Sequence, residues 1–466
     1  MKTLPQVKAT PEQLPIISSN SLGAEVICGA AGSGKTSTAL LRLRSLCLLF
    51  GARRKREGSR EPIRVLVLTF NRTLAGYIAA LAKEQFDAQF KVELTVDTFA
   101  HWASQHLGGP VIHDAEARRC LQRLGERLPP LTAKYVAKEA DYLLGRFEPD
   151  QVDLYLTSER TGRGNRPRIE LGTKRRILDE VIRPYMEWLR SRKFIDWNSL
   201  AVMMRGKASL NYDVVVVDES QDFSANQLRA IRQHLARDHS ITFVIDTVQR
   251  VYARGFTWAE CGFQIQPGRS HTLRSNYRNT AEIAQFAAGI LQGIAVDSDG
   301  ALPNLATASR RGSLPIVLRG SYVQQVSWAI ECIRQNVNLA EESVAFLKPL
   351  GGGWFEELEK RLTTAGLPYV ELTRESHWPE GPENIAICTF HSSKGLEFDH
   401  VFILGLNGEN TLHDAPEVDD EIVVLRKLLA IAIARARQTV TIGYKPGEES
   451  KLIQFMQPNT FQVVDL

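Results

Sequence analysis

The chain has 466 residues, 44% hydrophobic and 24% charged, and a formal net charge of +4. That length suits two or three domains with substantial cores, and a near-neutral balance neither demands nor excludes nucleic acid, so any basic groove must be local. Six scattered cysteines with no C-x-x-C pair argue against a structural metal or a disulfide framework, and with no signal peptide or bilayer-length apolar run the expected location is cytoplasmic, with no membrane partner.

In chain order, the apolar run Val26, Ile27, Cys28 leads into Gly29-Ala30-Ala31-Gly32-Ser33-Gly34-Lys35-Thr36, which answers to G-x-x-x-x-G-K-[ST], and Ser37 then opens a leucine-rich stretch with helical spacing. This is the strand–loop–helix context of a phosphate-binding loop. Its glycines let backbone N–H groups converge on phosphate oxygens, and the helix adds its positive end. Lys35 suits the terminal phosphates and the Thr36 hydroxyl suits Mg²⁺. The run Arg53-Arg54-Lys55-Arg56 reads as a solvated loop, with nucleic-acid contact as the other reading. Buried strands are predicted at 64–68, 214–217, 242–245, 384–389 and 401–404, alternating with amphipathic helices in the manner of a parallel α/β protein. From about 104 to 206 the pattern turns helical and charged, as in an inserted subdomain, with a basic glycine-rich loop at 159–166.

The run Val214–Val217 ends in Asp218 and Glu219. Ligands of open α/β sheets bind at that edge. A carboxylate there holds the cation that bridges nucleotide phosphates, the role expected of Asp218, while Glu219 is placed to deprotonate a water. Further elements follow: Gln249 after the strand at 242–245, Tyr277 beside Arg278, the segment 389–399 after a strand, and a helix ending at Arg435. Taken singly, each also fits core packing or a surface helix.

In order and spacing, these elements resemble the UvrD/Rep-type helicases of superfamily one, and the resemblance runs from Gln13 to about Tyr444. It implies two RecA-like P-loop NTPase domains with parallel sheets: the first over 1–103 and 207–268, with a helical insertion at 104–206, and the second over 269–466. It implies ATP and Mg²⁺, with Gln13 reading adenine, Tyr277 stacking it, Arg278 and Arg435 reaching the γ-phosphate, Gln249 sensing it, and Glu397, after the turn at Gly395, on the sugar. It implies single-stranded DNA along Phe70, Asn71, Arg72, Thr98 and Phe99, with Tyr252, Arg254 and His391 also on the strand. Phe70 and Phe99 fit ordinary core packing as well.

The chain departs from that family at several points. Ser37 stands where many relatives carry arginine, Ala100 where they often have histidine, and Ala430 and Ala434 where they have tyrosine and threonine. Ala253 and Arg254 replace a glycine and a base-stacking tryptophan, which leaves Arg254, Phe256 or Trp258 for that role. Only residues 373–384 remain where relatives carry a second insertion, so that subdomain is expected to be absent. The reading is an ATP-dependent translocase or helicase moving 3′ to 5′ on single-stranded DNA. The alternatives are an ATPase subunit signalling to a nuclease partner, as in anti-phage complexes, and an RNA-acting enzyme of the same superfamily.

Overall fold

The structure, a computed structural model, describes the chain outside residues 1–8, 30–31, 71, 84–89, 159–169, 247–255, 277, 295–307, 309, 350–353, 373–377, 380 and 412–418, and outside the side chains of 73, 80–83, 246, 354, 410 and 419–421. Strands β1 (Gly23–Gly29), β2 (Ile63–Thr69), β3 (Val92–Thr98), β4 (Tyr212–Val217), β5 (Leu235–Asp246) and β6 (Ser270–Leu273) form one sheet in the order β3-β2-β4-β5-β1-β6. Strands β7 (Ile316–Arg319), β8 (Val344–Lys348), β9 (Tyr369–Glu371), β10 (Ile385–Thr389), β11 (Phe398–Ile403), β12 (Ala436–Tyr444) and β13 (Gln462–Asp465) form the other, in the order β13-β7-β12-β11-β8-β10-β9. Among the described residues every ladder in both sheets is parallel.

Parallel strands buried on both faces need apolar side chains at every position. β4 meets that demand: Val214 and Val216 enter one core, while Val215 and Val217 enter the core on the opposite face. β11 does the same, with Val401 and Ile403 on one side and Phe402 on the other. One apolar cluster runs without a break from the first sheet to the second, taking in Leu74 and Val216 of the one and Leu396 and Val401 of the other.

Helices α1 (Leu14–Ser18), α2 (Lys35–Arg56), α3 (Arg72–Lys83) and α4 (Phe99–His106) accompany the first three strands. The run Arg53–Arg56 is the last turn of α2, not a loop, and there it complements the negative helix end. Arg53 also bonds Glu57 and Asp238, and Arg54 bonds Asp213, so these two are committed to intramolecular ion pairs. Helices α5 (Asp114–Gly125), α6 (Ala133–Arg146), α7 (Leu171–Arg176), α8 (Arg183–Arg192) and α9 (Trp197–Arg205) intervene before β4; α5, α6 and α8 bury a separate core around Tyr155, Ile177 and Tyr185, while α9 packs into the core of the first sheet. That block is pinned to α10 (Ala225–Gln233), where the Asn226 amide donates to the carbonyls of Leu144 (2.9 Å) and Phe147 (2.8 Å). The second sheet carries α11 (Ala281–Leu291), α12 (Tyr322–Asn336), α13 (Trp354–Thr364), α14 (Gly408–Thr411) and α15 (Asp419–Ile433).

One expected boundary is corrected. Residues from 269 onward were assigned to the second domain, yet β6 pairs with β1 in register Val26↔Ser270 through Gly29↔Leu273. A four-residue strand cannot be read from periodicity alone. The chain therefore leaves the first sheet only after Leu273, which sets the following loop directly beside the end of β1.

An ion pair is buried at the opposite end of β1. Arg42 of α2, 0% exposed, bonds Glu25, which also accepts from Ser19 (3.2 Å) and Ser21 (3.3 Å) and lies 2.8 Å from Nε2 of His271 on β6. Burial pushes the Arg42 guanidinium below its ordinary value while Glu25 pulls it back up. Breaking such a pair strands a charge in a dry interior. Arg42→Ala is expected to cost about 3–5 kcal/mol in denaturant unfolding; a midpoint indistinguishable from wild type would contradict the pairing.

Candidate functional site

The carboxyl edge of the first sheet gathers the site. The loop after β1 runs into α2 through Gly32 (φ +85°) and Gly34 (φ +77°), left-handed positions that glycine adopts without strain. A Cβ on Gly32 would stand 2.3 Å from Asn276 Oδ1, and one on Gly34 would stand 2.6 Å from Gln13 Nε2. The loop is therefore wedged between Gln13 and the segment after β6. Gln13 is buried, donating to the Ser33 carbonyl at 3.3 Å and accepting from Thr10 N at 3.0 Å. Lys35 begins α2 and is buried, with Ser37 half-buried two residues further on.

The Thr36 hydroxyl lies 3.1 Å from Asp218 Oδ2. Burial, then the neighbouring Glu219 charge, holds the Asp218 carboxyl well above the usual carboxylate range, with Thr36 and Lys35 opposing them. Glu219 follows at φ +50°, a left-handed conformation that costs a non-glycine residue about 1–3 kcal/mol and that clusters at functional sites. Its carboxylate accepts from the Gln221 amide.

The second sheet supplies cations. Phe398 of β11 is in register with Ala436 of β12, so the residues preceding those parallel strands, Glu397 and Arg435, are neighbours. Arg435 is buried and donates to the Leu396 carbonyl at 3.3 Å. Glu397 bonds Arg278, whose Nε and Nη1 are buried without a hydrogen-bond partner among the described residues. Gly395 sits at φ +83°, where a Cβ would come within 2.5 Å of Leu74 on α3. A loop that turns at two left-handed glycines, a lysine and two arginines suit a polyphosphate, and Thr36 with Asp218 forms a hard-oxygen set suited to Mg²⁺.

Of the expected DNA-facing residues, Phe70 is 49% exposed after β2, Arg72 is exposed at the start of α3, and His391 is exposed in the turn after β10. Desolvation and then the Lys394 ammonium lower the His391 imidazole from its ordinary value. Thr98 caps α4, its hydroxyl accepting from His101 N at 3.3 Å. Phe99 is corrected: it is 4% exposed and packs edge-on against Trp102 at 5.6 Å, inside the core. Two substitutes for the missing tryptophan are corrected as well. Phe256 is buried, and Trp258 packs on Phe243 at 4.1 Å. Ala30, Ala31, Asn71, Gln249, Tyr252, Arg254 and Tyr277 lie outside the described residues.

Several residues escaped the sequence reading because their partners are remote. Glu12 accepts from Arg274 N at 2.7 Å. Asn276 Oδ1 accepts from the backbone of Arg278 (3.1 Å) and Asn279 (3.2 Å), and its amide donates to Asn279 Oδ1 (3.0 Å). Asn279 then donates to the carbonyls of Ala434 (3.0 Å) and Ala436 (2.5 Å), which flank Arg435. Asp222 bonds Lys394 across the two sheets. Asn276 and Asn279 bracket Tyr277-Arg278 in the sequence, the one signal that marked them.

The family model for the UvrD/REP helicase N-terminal domain matches residues 9–262, and that for the UvrD-like helicase C-terminal domain matches 324–446. A "Probable DNA helicase" of Mycoplasma pneumoniae is 23% identical over 473 residues, covering 93% of this chain and 84% of that one. The "ATP-dependent DNA helicase Rep" of Buchnera aphidicola subsp. Schizaphis graminum is 31% identical over 120 residues, 25% of this chain and 16% of that protein. A solved C-terminal domain of a possible DNA helicase from Lactobacillus plantarum WCFS1 is 22% identical, with a TM-score of 0.30, covering 41% of this chain and 99% of its own.

Because Asn279 ties the two arginine loops together, Asn279→Ala is expected to lower ATP turnover by an order of magnitude or more, since it frees both loops at once. Phosphate release measured at saturating ATP checks this, and wild-type turnover in the variant would show the bracket to be dispensable.

Proposed function

Because the chain belongs to the UvrD/REP helicase family of ATP-dependent DNA helicases, we propose that it translocates 3′ to 5′ on single-stranded DNA, using one ATP hydrolysis for each cycle of closing and opening between its two sheets. The observation that carries this reading is the meeting of the phosphate loop with the arginine loops: Gly32 abuts Asn276, and Asn276 and Asn279 hold Arg278 and the flanks of Arg435.

In this reading Lys35 draws in the terminal phosphates, and Gln13 and Tyr277 hold the adenine by its edge and its face. Thr36 and Asp218 would hold Mg²⁺, which when bound would supply charge neutralisation. Glu219 orients a water and takes its proton, a contribution of about 10²–10⁴-fold in such reactions. Arg278 and Arg435 offset the charge that builds on the transferred group, an effect worth about 10³–10⁵-fold in related chemistry. Gln249 and Glu397 report the nucleotide state to the two sheets. The strand lies over Phe70, Asn71, Arg72 and Thr98 on one sheet and His391 on the other, with Tyr252 and Arg254 completing the grip. Aromatic stacking and phosphate contact there tolerate any base sequence.

Two variants test the chemistry. Lys35→Ala is expected to bring DNA-stimulated ATP hydrolysis to background, whereas Glu219→Gln is expected to keep nucleotide binding while losing turnover by about 10²–10⁴-fold. Robust DNA-stimulated hydrolysis by Lys35→Ala would refute the assignment.

The span between β9 and β10 supports a further expectation. Only residues 372–384 separate the two strands where relatives carry a second insertion, and Trp378 packs on Tyr77 of α3 with ring centroids 4.8 Å apart. We expect the purified chain to show ATPase stimulated by single-stranded DNA and translocation on an immobilised strand, but weak separation of a tailed duplex. Vigorous unwinding by the chain alone would sink the expectation that strand separation needs a partner, such as a nuclease subunit.

A further inference from the structure

Lys394 lies in the turn between β10 and β11, on the second sheet, but its ammonium is spent on the first. It bonds Asp222 and stands 3.7 Å from Glu219 Oε2, and all three side chains are buried. The same ammonium is 5.6 Å from the ring centroid of Phe70, half of whose surface is open to solvent. We propose that Lys394 is a positioning residue that holds Glu219 idle and is drawn off by a DNA strand arriving on Phe70. The inference rests on the reading of Glu219 as the residue that accepts the water's proton.

Glu219 is held through one of its carboxylate oxygens. Its Oε2 accepts from the Gln221 amide and faces the Lys394 ammonium, so the carboxylate is pinned in one orientation and turning it toward a water means loosening one of these contacts. Lys394 is in turn held by two carboxylates in a water-poor cleft, where opposite charges bind more strongly than in solvent. DNA offers what such an ammonium would leave them for. A base stacking on Phe70 takes the ring face that the cation shares, and the adjoining phosphate competes for the charge itself. His391 is exposed in the same turn, and its carbonyl accepts from Lys394 N at 3.3 Å, so a strand reaching that rim meets the backbone that carries Lys394. An ion pair serving stability alone would have no need to include the hydrolytic carboxylate and the DNA-facing aromatic together.

The test is steady-state ATP hydrolysis by the full chain, without DNA and with saturating oligo-dT, for wild type, Lys394→Met, Lys394→Arg and Asp222→Asn. Lys394→Met is expected to raise the DNA-free kcat several-fold, toward the DNA-stimulated value, so that the stimulation ratio collapses while the KM for ATP stays close to wild type. Lys394→Arg keeps the cation and is expected to keep the ratio. Should Lys394→Met not fold, Asp222→Asn removes the counter-charge with an isosteric amide and carries the same expectation as Lys394→Met. A DNA-free kcat at or below wild type in the variants that do fold, with an unchanged ratio, would overturn the proposal and leave Lys394 as a structural tie. Wild type distinguishes that failure from a deeper one: if it shows no hydrolysis with or without oligo-dT, the functional reading falls and this inference with it.

Discussion

Charge removed from water has to find counter-charge, and that requirement organises this molecule more than any single apolar contact. Where α2 crosses the base of β1, Arg42 meets Glu25. Where the two sheets approach, Lys394 meets Asp222 and Arg278 meets Glu397. The first pair joins elements of one domain. Of the other two, the lysine pair crosses between sheets and the arginine pair orders the loops of the second. Apolar packing brings the sheets together through one continuous core, but the charged groups specify which loops face each other across the cleft. A cleft built this way is already set up for a polyanion, because its cations are held in place by carboxylates that a phosphate can replace.

Much of this was readable from the chain. The phosphate loop was legible because its glycines and lysine are local and because a parallel sheet puts loops at strand ends. Four β-branched residues announced β4, and the acidic pair after them followed from the same geometry. What stayed hidden was either too short or too distant. β6 has four residues and no periodicity of its own, so its membership in the first sheet became visible only through pairing with β1. Arg53 and Arg54 looked free because Asp238 and Asp213 lie far along the chain. Phe99 and Phe70 are equivalent in sequence terms, each an aromatic after a strand and a threonine. Tertiary packing alone separates them, burying the first on Trp102 and leaving the second open.

The short stretch of sequence between β9 and β10 has a structural meaning of its own. Where an inserted subdomain would stand apart from the sheets, Trp378 instead folds back onto Tyr77 of α3. The same helix receives the Gly395 turn at Leu74, where the absence of a side chain permits the close approach. α3 is thus the surface against which two separate segments of the second sheet are seated. Any motion between the sheets would have to slide or break contacts on that helix.

The bracket made by Asn279 carries a consequence for kinetics. Its amide holds the carbonyls on both sides of Arg435, while its backbone is fixed by the same Asn276 that fixes Arg278. Two cations whose backbones share one bracket are positioned together. Under the function proposed above, a nucleotide would then meet both arginines at once, and commitment to hydrolysis would be a single event instead of two successive ones.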